Sequence, residues 1–439
     1  MGEEETKVYT KVLLVGLDTG EEPDFDHSME ELKSLAEAAY KEVVGIITQR
    51  SGAVNKSFYV GTGKVAEIGE YAGQCGAEEL IFDNTLSPSQ IRNLGKELEL
   101  PILDRTGLIL DIFAIRAKTK EAKLQVETAR LQYILPRLVG MRENLSRQGG
   151  TGGSMSNKGA GETKLELDRR KIEHRITELK KELEAVSRAR DTMRKKRSRS
   201  DIPKVALVGY TNAGKSTILN HMLDKYGECG DKTVLEKNML FATLDTQVRC
   251  IRPRSCQSDE AGRMVDNSPF FLADTVGFID KLPHGLVKAF RSTLEEVRDA
   301  DLLIQVVDFS DEHYKQHMEV TAETLKELGA GDIPRITVYN KADRRGMEDI
   351  PRIRGRQIYM AASMDCGIEE LKEMIEGDLC ANRVERVFLV PYEEGGIVSY
   401  LMENATVLEQ EYRDDGVWMK VNCNKNDADK YGGYLKNMV

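Results

Sequence analysis

Apolar and polar residues change period several times along this chain of 439 residues. Val12-Leu13-Leu14-Val15 is an unbroken apolar run that reads as a buried strand, and Met29 to Ala39 has helical spacing. Val43-Val44-Gly45-Ile46-Ile47, Leu80-Ile81-Phe82 and Pro101-Ile102-Leu103 predict three more strands with helices between them. Apolar strands alternating with helices predict a small N-terminal α/β domain over 1–115 with a largely parallel sheet. Residues 116–148 carry a helical pattern, broken late by Pro136 and Gly140. A glycine-rich, apolar-poor stretch from Gln148 to Gly161 follows. It has little to bury, so it predicts a loop rather than a helix. Leu165, Ile172, Ile176, Leu179, Leu183 and Val186 then recur at spacings of 3, 4 or 7, one stripe of a two-helix contact over 163–197. The whole of 116–200 reads as a helical hairpin with a glycine tip. Asp201-Ile202-Pro203 reads as a linker, and strand–helix repeats run from there to 383 as a second α/β domain with a parallel-rich sheet. In 384–439 the pattern predicts a strand from Arg386, a helix over 395–411, a strand from Gly416 and a helix over 427–436, a small α+β domain. The fold class expected is therefore multidomain α/β.

Charge sharpens this division. The chain carries 63 Lys/Arg and 73 Asp/Glu, a net −10. Residues 116–200 hold 23 Lys/Arg against 11 Asp/Glu, so the hairpin is +12 and the remainder −22. A one-signed basic block in an acidic protein is what a local polyanion contact requires. No run approaches the roughly 18 apolar residues of a membrane span. Met1-Gly2-Glu3-Glu4-Glu5-Thr6 lacks the basic and apolar regions of a secretory signal; its fit to a myristoylation pattern is set against a solvated acidic tail. Seven scattered Cys with no Cys-x-x-Cys predict free thiols in a reducing, cytoplasmic setting.

The candidate chemistry lies in the second α/β domain. The strand Val205-Ala206-Leu207-Val208 runs into Gly209-Tyr210-Thr211-Asn212-Ala213-Gly214-Lys215-Ser216-Thr217 and then into a helical segment. That is a complete phosphate loop in strand–loop–helix context: glycines let N–H groups wrap phosphates, Lys215 reaches the β/γ-phosphates, and the Ser216 hydroxyl binds Mg²⁺. Asp274-Thr275-Val276-Gly277 follows another strand, with Asp274 placed to hold Mg²⁺ through water and the Gly277 N–H to face the γ-phosphate. Asn340-Lys341-Ala342-Asp343 supplies a carboxylate for the N1–H and N2–H₂ edge of guanine, which adenine cannot match. Together these motifs predict GTP. Asn340 can tie the guanine loop to the phosphate loop, and Lys341 can lie along the base. Within Phe241-Ala242-Thr243-Leu244-Asp245, Thr243 is the candidate switch ligand to Mg²⁺; Ala361-Ala362-Ser363 is the candidate guanine-side loop, with the Ala362 N–H expected to touch the base. Phe278 stands where many GTPases carry a water-orienting Gln, so slow intrinsic turnover is expected. The Asn212 side chain can hold a K⁺ between the phosphates, or it can be there for turn geometry. Gly61-Thr62-Gly63-Lys64 has only part of the phosphate-loop spacing and reads as a glycine turn at a helix start. His313 and His317, four apart with no third ligand in view, read as a solvated helix face.

Outside the nucleotide motifs, several long segments resemble the HflX family. They include Phe82-Asp83-Asn84, Leu86-Ser87-Pro88-Ser89-Gln90, Leu103 to Phe113, Glu121 to Glu127, Leu145 to Gly150, Gly161-Glu162-Thr163 and Phe241 to Asp245. The resemblance implies a cytoplasmic, monomeric GTPase that binds the large ribosomal subunit and splits stalled or idle ribosomes in recovery from stress. It places the hairpin near the peptidyl-transferase centre, which makes Arg147, Gly149, Gly150, Gly152, Gly153, Lys158, Gly159 and Gly161 the candidate rRNA contacts. Ala160 and Ala361 depart from the residues usual in the family, and 251–268 is longer than usual. A competing reading is a switch that recruits a protein effector, with the hairpin as an ordinary coiled-coil surface.

Overall fold

The computed structural model describes residues 9–20, 24–147, 155–198, 202–227, 241, 247–252, 269–281, 296–381 and 383–436. The chain forms two compact units: one of residues 1–186 with 237–245 and 281–291, the other of 187–236, 246–280 and 292–439.

In the first unit, β1 (Thr10–Asp18), β2 (Lys41–Arg50), β3 (Glu79–Phe82) and β4 (Ile102–Asp104) form a sheet of order β2-β1-β3-β4, parallel throughout. Helices α1 (Phe25–Ala38), α2 (Thr62–Cys75) and α3 (Pro88–Leu98) connect the strands, and α4 (Arg105–Arg116) follows β4 directly. Leu13, Val15, Ile68, Leu80, Phe82 and Leu94 fill one core, as the apolar runs require. Gly61 caps α2, so the short glycine motif is a helix start, as expected from its incomplete spacing. Ser87 and Gln90 close a capping box on α3, which fixes where that helix begins.

Helices α5 (Lys120–Arg147) and α6 (Met155–Ser198) replace the expected hairpin segments with two differences. Pro136 does not end α5; Arg137 Nη1 donates to the Tyr133 carbonyl (2.6 Å) in the turn before it. Helix α6 starts at Met155, so Gly159 and Gly161 are helical where a loop was expected. Asp104 joins α4 to α5: it caps α4 through the Gly107 N–H (2.9 Å) and accepts from Tyr133 (2.5 Å) and Arg137 (2.9 Å). Burial, and then the Asp104 charge, raise the Tyr133 phenol, which therefore stays protonated and donates.

A buried charge cluster sits beneath α1 and β3. Arg105, 2% exposed, pairs with Asp83 (2.7 Å) and Glu31. Asp83 also accepts from Ser28 Oγ (2.7 Å) and from Lys281 Nζ (2.7 Å). Burial opposes ionisation of Asp83, but Arg105 and Lys281 outweigh it and hold the carboxyl below its usual value. Phe241 packs edge-on against Phe113 of α4 at 4.8 Å.

The second unit holds a seven-stranded sheet of order β10-β11-β9-β8-β5-β7-β6. Its strands are β5 (Lys204–Gly209), β6 (Gln247–Ile251), β7 (Phe270–Asp274), β8 (Leu302–Asp308), β9 (Arg335–Asn340), β10 (Arg352–Arg354) and β11 (Gln357–Tyr359). Only the outer strands β6 and β10 run antiparallel to their neighbours. Apolar cores line both faces: Ile218, Leu219, Ile304 and Ile336 on one, Val208, Phe278, Val297 and Leu325 on the other.

Beyond the helix Ile368–Ala381, β12 (Arg383–Val390), β13 (Thr406–Arg413), β14 (Gly416–Asn424) and β15 (Leu435–Lys436) form an antiparallel sheet of order β13-β14-β12-β15. This corrects the helix expected over 395–411. The helix stops at Asn404, and Thr406–Arg413 pairs with β14 across the turn Asp414-Asp415. Thr406 and Val407 are β-branched, and Asp-Asp-Gly is hairpin chemistry, a signal that outweighs helical spacing here.

Candidate functional site

The site lies at the carboxyl ends of β5, β7, β8 and β9, where ligands bind in open parallel sheets. Helix α7 (Lys215–Tyr226) starts from Gly214, whose φ of +97° a side chain would strain. A Cβ on Gly214 would lie 2.2 Å from Asn340 Nδ2, and one on Gly209 would lie 2.1 Å from the Val306 carbonyl. Gly209 is therefore required by close backbone approach, and Gly214 by its left-handed φ and the Asn340 amide packed against it. Asn212 sits at φ +59°, which suits the turn-geometry account of that residue.

Lys215 is 7% exposed, and its Nζ donates to the carbonyls of Gly209 (3.0 Å) and Tyr210 (2.6 Å). Burial pulls its ammonium down to about 8, with the Asp274 charge working the other way. The Ser216 hydroxyl donates to Asp274 Oδ2 (2.7 Å), and Asp274 is fully buried. A hydroxyl and a buried carboxylate in contact are hard oxygen donors of the kind Mg²⁺ takes, so these residues fit that ion. Thr217 continues α7. Ala213 is fully buried, and Thr275 Oγ1 donates to the Leu207 carbonyl (2.6 Å). The loop of Val276 and Gly277 is packed on the phosphate loop: a Cβ on Gly277 would meet Thr211 Cα at 2.8 Å and Lys215 Nζ at 3.0 Å. Thr211 N–H donates to Phe278 (2.8 Å) and Phe278 N–H to Gly209 (3.1 Å), zipping the two segments together. Phe278 is 2% exposed and belongs to the core, so it presents nothing polar.

On the guanine side, Asn340 Nδ2 donates to the Ala213 carbonyl (2.9 Å), tying the loops together as expected. Lys341 Nζ donates to the Asn212 carbonyl (2.9 Å) and pairs with Asp308 (2.6 Å). Ala342 is fully buried, and Asp343 Oδ1 is buried with no hydrogen-bond partner among the described residues. An acceptor held dry and unsatisfied costs free energy until a donor arrives, which fits the guanine N–H edge. The Ala362 N–H, expected to touch the base, donates to Asn340 Oδ1 (2.9 Å). Asn340 is 3% exposed, so its oxygen needs a donor, and Ala361 brings no hydroxyl to serve it. Ser363 is exposed in the short turn Ala362–Met364.

His317 was not read correctly from sequence. It is 7% exposed and stacks on Tyr210 with centroids 3.8 Å apart, so it belongs to the phosphate-loop side of the sheet and not to a solvated face. No group of three metal-ligating side chains occurs among the described residues. Asp308 was also missed, and nothing local marks it. Ala242, Thr243, Leu244 and Asp245 lie outside the described residues, as do Gly149, Gly150, Gly152 and Gly153 and most of the long segment 251–268. Arg147 ends α5, and Lys158, Gly159 and Gly161 lie in the first turns of α6. No described helix is long and apolar enough to cross a membrane.

Three family models match consecutive parts of the chain. One described as GTP-binding GTPase N-terminal matches 26–114, one described as GTP-binding GTPase Middle Region matches 116–197, and one described as 50S ribosome-binding GTPase matches 204–341. A protein named GTPase HflX from Caldanaerobacter subterraneus is 43% identical over 398 residues, covering 91% of this chain and 88% of the relative. GTPase HflX from Lacrimispora saccharolytica is 40% identical, covering 94% and 93%. The protein of that name from Alkalihalophilus pseudofirmus is 42% identical, covering 91% and 90%.

Proposed function

Because the chain belongs to the HflX family of GTPases, we propose that its GTP hydrolysis is coupled to the large ribosomal subunit, in splitting ribosomes during recovery from stress. The observation that carries this reading is the basic hairpin. Residues 116–200 hold a net +12 beside a remainder of −22, and the nucleotide domain matches a model described as 50S ribosome-binding GTPase. Lys/Arg contacts to rRNA phosphates release counterions, so binding weakens steeply as salt rises. Tyr133 is the only aromatic residue in 116–200, so stacking on bases contributes little along the stem. Arg147, Lys158 and the glycines from 149 to 161 are the contact residues of this proposal. We divide the working protein, a monomer of the cytoplasm, into 1–115, 116–200, 201–383 and 384–439.

In the nucleotide site, Asp343 takes the guanine N–H edge and Asn340 holds the guanine loop to the phosphate loop. Lys215 turns from its two carbonyls to the β/γ-phosphates, and the Gly277 N–H meets the γ-phosphate. Ser216, Thr243 and, through water, Asp274 would hold Mg²⁺, which would supply neutralisation of the phosphate charge when bound. A K⁺ held by Asn212 would add to that stabilisation. If so, turnover is faster in K⁺ than in Na⁺ at equal ionic strength, and Asn212→Ala removes the difference; equal rates in the two salts leave Asn212 as a turn residue.

The decisive experiment is GTP turnover with and without purified large subunits, on the full chain and on a chain with 149–161 replaced by a short Gly-Ser turn. The expected result is stimulation of the full chain only, with GTP affinity alike in both. No stimulation of the full chain removes the ribosomal reading in favour of effector recruitment. Full stimulation of the loop-replaced chain moves the contact away from the hairpin tip.

A further inference from the structure

A GTPase with Phe278 after Gly277 has no side chain there to orient water, so what that loop contributes must come from its main chain. The position of that main chain then decides how well it meets the transferring phosphate. In this protein one phosphate-loop side chain holds it. The Tyr210 hydroxyl accepts the Asp280 N–H at 2.7 Å, three residues beyond Gly277. The Tyr210 main chain bridges in parallel to Phe278, and its carbonyl accepts from Lys215 Nζ at 2.6 Å. Tyr210 thus touches both the phosphate lysine and the far end of the γ-phosphate loop.

Tyr210 is itself held by His317. The two rings lie 3.8 Å apart and 10° from parallel, and they are 6% and 7% exposed. His317 sits in the helix Tyr314–Glu327, where Thr321 and Leu325 are buried against the sheet, so the imidazole is a fixed wall. A phenol trapped against that wall cannot swing its hydroxyl away from Asp280 without leaving its rotamer.

We propose that Tyr210 and His317 are positioning residues for hydrolysis: His317 fixes the Tyr210 ring, and the Tyr210 hydroxyl sets the main chain of Gly277–Asp280 against the phosphate loop. Neither group takes or gives a proton in this scheme. The stack accounts for a buried His that metal binding does not explain, and the hydroxyl accounts for a Tyr where the phosphate-loop spacing asks for no particular side chain.

The test is kcat, KM for GTP and Kd for GDP in Tyr210→Phe, His317→Ala and His317→Phe. Tyr210→Phe keeps the ring and loses only the hydroxyl, so kcat falls about fivefold, the worth of one ordinary hydrogen bond, while GDP affinity holds within about twofold. His317→Ala lowers kcat by a similar factor. His317→Phe restores the flat face and recovers most of the rate. Equal losses of GDP affinity and rate would make the pair part of the general scaffold and overturn the proposal, as would an unchanged kcat in Tyr210→Phe. If His317→Ala does not fold, the contrast between His317→Phe and Tyr210→Phe decides: rate kept in the first and lost in the second supports the proposal, and the reverse rejects it.

Discussion

Two helices of this chain start on a glycine and carry a lysine in their first turn, yet only one builds a phosphate site. At α2, Gly61 is extended with φ −64°, and its N–H is already donated to Gln49 Oε1 (2.9 Å). Lys64 turns outward to Glu67 (2.7 Å), and a Cβ on Gly63 would meet nothing within 4 Å. At α7, Gly214 is left-handed at +97°, Gly209 and Gly214 leave no room for a Cβ, and Lys215 turns inward onto two loop carbonyls. The letters Gly-x-Gly-Lys are shared in spirit; what differs is the winding of the loop before the helix and the direction of the lysine. A phosphate cradle is a backbone shape first and a charge second.

That contrast breaks most sharply by adding one methyl group. Gly209→Ala puts a carbon 2.1 Å from a main-chain carbonyl that cannot step aside, at a φ of +144°. The expected cost is on the order of 4 kcal/mol, with GTP binding lost, read by urea unfolding and fluorescent-nucleotide titration. Asp343→Asn tests the other side of the real site. It trades an acceptor for a donor at the guanine edge, so GTP affinity falls by about 10- to 100-fold and xanthosine triphosphate gains. A variant that still prefers GTP would remove Asp343 from base recognition. The smallest effects belong to α2, and one has the opposite sign. Gly63→Ala adds a helix former in open space and stabilises by about 0.5–1 kcal/mol. Lys64→Ala breaks a pair whose Glu67 side chain is 58% exposed, so stability changes by less than about 0.5 kcal/mol and nucleotide binding is untouched. Loss of GTP binding in either α2 variant would mean that the two helix starts are not as different as their geometry.

The strands β1 to β5 and β7 were legible because a buried strand writes itself as a short apolar run, and the phosphate loop because its chemistry is contiguous. Asn340 bonding to Ala213 was legible too, since its motif has one sensible use for that side chain. What escaped depends on partners far off in sequence. Asp308 gains its role from Lys341, and His317 from Tyr210, more than a hundred residues away. Asp83 reads as one acid after a strand until Arg105 and Lys281 meet it in the core. The stretch 395–411 failed for another reason: Ile397, Val398 and Leu401 set a helical stripe, and only Glu403-Asn404 and Ala405 separate it from β13.

The buried Lys215 also makes nucleotide capture a reaction that consumes acid. With its ammonium at about 8, a good fraction of the amine is neutral in mildly alkaline solution. Phosphate oxygens drawn up to Nζ favour the charged form, so the bound complex holds a proton that the free protein had given up. Near pH 8 each GDP bound should take up roughly half a proton from the buffer, and near pH 6.5 almost none. Calorimetric titration in two buffers of different ionisation heat measures that number directly. Equal binding enthalpies in both at pH 8 would mean the lysine is already fully charged before the phosphates arrive. The loop that shelters Lys215 from water thereby sets an alkaline limit on affinity: above pH 8, each further unit of pH weakens capture by up to about tenfold.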